Sequence, residues 1–176
     1  MKKSVFKVDH STNNFKLYDA DDKLYYSASW FLEFGKTTSE IYNLEKEVIF
    51  SIVKKFKFWK WRIAYEIQNK QHKTFVLNSV NKENTHFLLQ FKEDVYEIKI
   101  HYAQKKSIFK NGIKIAEIDD AFLSSKEENT SNLLLVNMED VEMIFLLFCC
   151  LKTGETNQKP VLKSQKELIP IEEKWT

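Results

Sequence analysis

A helix that lies on a protein surface needs a polar stripe to face water, and residues 144–151, Ile-Phe-Leu-Leu-Phe-Cys-Cys-Leu, leave none. Eight consecutive apolar side chains cover the whole circumference at about 3.6 residues per turn, so a helix here must be enclosed on every side. A bilayer is one way to enclose it. Counted from Val141, the run is about 12 residues and would span about 18 Å, against a hydrocarbon core of about 30 Å. It is too short to cross. The other enclosure is a curved sheet with an apolar inner face, and wrapping a helix about 10 Å across takes roughly eleven or twelve strands, because an eight-stranded barrel is filled by its own side chains.

The rest of the chain supplies strands. In Trp59-Lys60-Trp61-Arg62-Ile63-Ala64-Tyr65-Glu66-Ile67 the odd positions are apolar, while Lys60, Arg62 and Glu66 share the opposite face. Tyr96, Ile98, Ile100 and Tyr102 alternate in the same way with Glu97, Lys99 and His101, and Phe87, Leu89 and Phe91 mark a further strand. Asn111-Gly112 lies between two such runs and supplies the two positive φ values of a type I′ hairpin. Polar interruptions at 19–23, 43–46, 69–72, 78–81 and 93–94 are turns of the same kind. About ten to twelve short strands joined by hairpin-length connections predict an all-β sandwich or barrel rather than βαβ units. The helix spans 138–152: Asn137 is its N-cap, Glu139, Asp140 and Glu142 suit the positive end of its dipole, and Lys152 with Gly154 marks its end. The chain therefore divides into one mainly β domain over 1–154 and a polar tail over 155–176, with room for one short strand at Val161-Leu162 or Leu168-Ile169.

Several function classes lose their footing on composition. Gly35, Gly112 and Gly154 are the only glycines and each stands alone, which excludes the clustered glycines of a P-loop or dinucleotide fingerprint. His10, His72, His86 and His101 occur singly with no zinc-ligand spacing, and His101 reads as an exposed strand residue. Asp19, Asp21 and Asp22 lack the glycine and distal glutamate of a calcium loop, and Asp119-Asp120 reads as a turn. Cys149 and Cys150 are adjacent, a poor geometry for a disulfide, and read as core packing and as free thiols in a reducing compartment. These readings predict no catalytic set, no metal and no cofactor. At the N-terminus charge returns at Lys7 and Asp9 before any apolar run develops, so no export signal is expected and the location expected is cytoplasmic. With 27 Lys and Arg against 25 Asp and Glu, the chain lacks the basic footprint of a nucleic-acid binder.

A series of short antiparallel strands followed by a wholly apolar helix, here residues 138–151 after Leu133-Leu-Leu-Val136, resembles the tubby C-terminal-like superfamily of tubby, LURP-one-related and phospholipid scramblase proteins. The likeness runs from about Leu24 to Leu151, and the hairpin at 108–118 is its most suggestive part. It implies a closed antiparallel barrel of twelve strands around a central C-terminal helix, and recognition of phosphoinositides through basic residues on the barrel. One stretch fits that role. Lys54, Lys55, Lys57, Lys60 and Arg62 are interleaved with Phe56, Phe58, Trp59 and Trp61, a pattern suited to anionic head groups at a membrane surface. The plainer reading is a one-sided strand whose Trp59 and Trp61 fill the core while Lys60 and Arg62 meet water, and one-sided strands favour it. The sequence thus predicts a non-enzymatic binding module for anionic lipid, peripheral at the membrane, or alternatively a protein-interaction domain that uses an exposed strand edge.

Overall fold

The computed structural model describes residues 4–11, 13–101, 105–119 and 130–154. Twelve strands follow one another: β1 (Ser4–Asp9), β2 (Asn14–Asp19), β3 (Leu24–Glu33), β4 (Lys36–Tyr42), β5 (Val48–Lys57), β6 (Arg62–Asn69), β7 (Thr74–Ser79), β8 (His86–Phe91), β9 (Asp94–Ile100), β10 (Lys105–Lys110), β11 (Ile113–Asp119) and β12 (Thr130–Leu135). Each pairs antiparallel with the next, and β1 pairs with β12, Ser4 opposite Leu135, so that the sheet closes into a barrel. A 3-10 turn, Met138–Asp140, leads into α1 (Val141–Lys152). The segment proposed as a tail strand lies outside the described residues.

The enclosed helix is where the apolar run required it. All seven residues from Ile144 through Cys150 are at most 1% exposed, and Val8, Leu17, Ile52, Ile67, Leu77, Leu89, Ile98 and Leu133 of the surrounding strands are fully buried with them. Phe148 packs edge-on against Phe15, with ring centroids 6.1 Å apart, and Phe145 stacks on Tyr26 at 6.0 Å. The helix is anchored at its first turn by polar contacts that its sides cannot offer. Asn137 accepts a hydrogen bond from the Glu139 backbone N–H at 3.2 Å, as an N-cap should. The Lys110 ammonium lies 3.0 Å from buried Asp140, and this hydrogen bond holds the ammonium pKa above its ordinary range.

This start of the helix defines one end of the barrel, the floor. The turns after β2, β4, β6, β8 and β10 lie here, because antiparallel strands bring alternate connections to the same end. The opposite end, the rim, carries the turns after β1, β3, β5, β7 and β9, and the helix finishes there. Thr153 closes it by donating its hydroxyl to the Cys149 carbonyl at 2.6 Å. Gly154 follows at φ +75°, and a Cβ there would lie 2.8 Å from the Thr37 side chain. The chain therefore needs glycine at 154 on two counts, a left-handed φ and a close approach to the wall.

Candidate functional site

The rim is uneven. Across β3 to β6 the residues Leu32, Thr37, Lys54 and Tyr65 stand at one level, each opposite the next. Thr37 and Lys54 are the residues against which Gly154 sits, so this level is also where the helix stops. β5 continues three residues past its last pairing with β4, about 10 Å at 3.3 Å per residue, and pairs there only with β6. The β5–β6 hairpin consequently projects from the barrel.

Period-two alternation continues along this projection past the level where the helix stops. Phe56 pairs with Ile63 two residues beyond Lys54, and both Phe56 and Trp61 are exposed. At the tip, Phe58–Lys60 forms a 3-10 turn and Trp61 ends it in the left-handed region at φ 51°. Trp59 is 100% exposed, Phe58 72% and Trp61 66%. The expectation that Trp59 and Trp61 fill the core is therefore corrected: β6 begins at Arg62, and the two indoles lie beyond the end of the helix that would have covered them. Phe56 stands edge-on to both Phe58 and Trp61, at 5.1 and 6.0 Å, which gives the tip a packed aromatic base.

The neighbouring β3–β4 hairpin adds a second apolar tip, which sequence reasoning passed over. Leu32 is 70% exposed and Phe34 95%, and Phe34-Gly35 forms the two-residue turn with φ of 47° and 74°. The available signal was Phe31-Leu32-Glu33-Phe34-Gly35, apolar residues massed around a turn glycine where polar ones are usual.

The five cationic candidates divide by face. Lys54 points inward: its Nζ donates to the Thr153 carbonyl at 3.0 Å and lies 6.0 Å from the Tyr65 ring centroid, so it supports the negative end of the helix dipole. Lys55 and Lys57 flank the hairpin, Lys55 ion-paired with Glu66 at 2.5 Å and Lys57 donating to Asn78 at 2.7 Å. Lys60 is exposed within the tip turn. Arg62, opposite Lys57, has its Nε shielded from solvent with no acceptor. Exposed Lys36, which begins β4 beside this hairpin, enlarges the cationic group.

A family model, the Tubby C-terminal like domain, matches residues 4–154, the span of the barrel and its helix. The chain belongs to this family. A crystal structure of a protein from Arabidopsis thaliana aligns with it at a TM-score of 0.47 and 7% identity, covering 85% of this chain and 90% of that one. No curated protein matches it in sequence.

In this tubby-like barrel the other sequence candidates take structural places. His101 is 4% exposed rather than solvated, because its Nε2 meets the Ser107 hydroxyl of β10 at 2.8 Å. His86 pairs with Glu97 at 2.6 Å. Asp19 accepts backbone hydrogen bonds from Asp21 and Lys23, both at 2.9 Å, so its carboxylate is engaged in forming its own turn. Asp119 ends β11, 3.5 Å from Lys105, while Asp120 lies outside the described residues. Burial raises the pKa of both thiols, Cys149 and Cys150, as expected for packing residues. Among the described residues no group of His, Cys, Asp or Glu could hold a metal ion, and no helix is long and apolar enough to cross a membrane.

Proposed function

We propose that this tubby-like domain is a non-enzymatic binding module that docks on anionic phospholipid at the cytoplasmic surface of a membrane, using the rim beside β5 and β6. The observation that carries the reading is the coincidence at one end of the barrel of Lys36, Lys55, Lys57, Lys60 and Arg62 with largely exposed aromatic rings. Each lysine or arginine near an anionic leaflet contributes on the order of 1 kcal/mol, so four or five of them supply a useful but salt-sensitive attraction. Membership of the tubby family supports the choice of an anionic lipid over other anions. The alternative of a partner pairing with a strand edge has less to work with among the described strands, because β1 and β12 close the ring and the open edge of β5 is confined to residues 55–57. A barrel enzyme would need an open interior, which α1 fills.

Co-sedimentation with vesicles tests this directly. Binding is expected with phosphatidylserine or phosphoinositide present and absent with phosphatidylcholine alone, and it should weaken on raising the salt. Neutralising Lys55, Lys57, Lys60 and Arg62 together to glutamine should reduce it by several hundredfold, at about 1 kcal/mol per charge. Equal binding by the neutralised protein, or none by the native one, would sink the proposal.

A further inference from the structure

The tips themselves are apolar, and electrostatic docking does not require that. Eight non-glycine residues among those described adopt positive φ, and six of them are Asp22, Lys46, His72, Asn84, Lys92 and Asn111. Polar or charged residues are the ordinary occupants of such positions, and Asn and Asp adopt them at least cost. The remaining two are Phe34 and Trp61, both at the rim, both bulky and both largely exposed. Trp61 keeps one ring contact, with Phe56 of the same hairpin, but a ring as exposed as that of Phe34 in the left-handed region makes no contribution to folding that asparagine would not match. Its place is explained by what it meets outside the molecule.

From this we infer that the β3–β4 and β5–β6 hairpins form a paired wedge that inserts Leu32, Phe34, Phe58 and Trp59 into the interfacial and upper acyl region of a bilayer, while the surrounding cations remain at the head groups. The inference rests on the proposed lipid reading and adds depth of penetration and orientation to it. Three features fit a bilayer as the occupant. The two tips come from hairpins that share the β4–β5 pairing, so they present their apolar residues side by side. Lys36, Lys55, Lys57, Lys60 and Arg62 stand around them and outnumber the nearby carboxylates, exposed Glu33 and Glu83 and the Lys55-paired Glu66, an excess of positive charge that complements phosphate. Tryptophan is the side chain best suited to the boundary between head groups and chains, and Trp59 is completely uncovered. In this orientation the end of α1 faces the membrane and the floor faces away.

The test combines partition with depth. A Phe34→Asn, Trp59→Ser double variant retains every cation, and its unfolding midpoint should equal or exceed that of the native protein because both side chains are exposed. Its partition onto vesicles containing phosphatidylserine should fall by on the order of tenfold or more for the apolar area removed, with the salt dependence preserved. Brominated lipids should quench a component of native tryptophan fluorescence that is missing in Trp59→Phe. Unchanged partition without quenching would overturn insertion and leave surface docking standing. Absence of native binding to any vesicle would remove both readings. Concentration-dependent self-association of the native protein that the double variant abolishes, with vesicle binding unaffected, would assign the tips to a second copy of the chain and overturn the wedge.

Discussion

The floor of the barrel and the two aromatic hairpins of its rim meet the same geometric demand with opposite chemistry. At the floor, the turns at 19–23, 43–47 and 69–73 are built alike: Asp19, Asn43 and Asn69 each accept from the backbone N–H four residues on, at 2.8–2.9 Å, and Asp22, Lys46 and His72 take the left-handed position. Side chain and backbone satisfy one another there. At the rim the β7–β8 turn is polar too, with Asn84 left-handed, but Trp61 takes the position that corresponds to Asp22, Lys46 and His72, Phe34 takes that of Asn111, and both leave their rings largely in solvent. Where local structure is optimised for stability, the residue type follows from the backbone. Where it departs from that optimum, the residue type points to an external contact.

The comparison breaks first if the floor proves dispensable. Asp140→Ala removes the carboxylate that anchors Lys110 at the start of α1, and a lost charge-assisted hydrogen bond of this kind should destabilise the fold by about 1.5–3 kcal/mol in urea unfolding. Retention of full stability would mean that Asp94, 3.4 Å from the same ammonium, suffices. The next effect is a pH dependence. Tyr26 donates to Glu142 in the first turn of α1, and burial, reinforced by that carboxylate, raises its pKa from 10.0 to about 12. A pKa raised in the folded state means that the stability it brings is fully present below pH 10 and is lost as the pH rises toward 12. Unfolding midpoints between pH 9 and pH 12 should therefore decline less steeply in Tyr26→Phe than in the native protein; identical slopes would exclude this tyrosine as a cause. The smallest effect has the opposite sign. Phe34→Asn at the rim should stabilise the domain by about 0.5 kcal/mol, since asparagine tolerates the left-handed turn position better, and a measurable destabilisation would show that Phe34 packs on the barrel after all.

That contrast also explains what could be read from the sequence. The central helix was legible because residues 144–151 admit only an enclosed solution, and the strand count followed from period-two alternation and from turns such as Asn111-Gly112. The cationic group was legible as a composition, but its faces were not. Alternation assigns Lys54 and Phe56 to one side of β5, yet it cannot say that α1 stops between their levels, and so it cannot separate an inward lysine at the helix end from an exposed ring. Trp59 and Trp61 continue the alternation that fills the core lower down, so only the height of the helix distinguishes them. His101 was misplaced for a related reason: its burial comes from the Ser107 pair on the next strand, which no local period encodes.

Closure of the ring also sets the order in which the molecule can be assembled. Ser4 pairs with Leu135, so the first strand synthesised awaits the last across about 130 residues, a loop whose ends meet only at considerable entropic expense. Until β12 is made, β1 and the most recent strand are both open edges, and the segment that will occupy the middle has not yet left the ribosome. The apolar helix follows β12 by only a few residues. Filling and sealing therefore depend on neighbouring segments at the end of the domain, and a chain truncated before residue 141 is expected to expose the apolar strand faces that α1 covers.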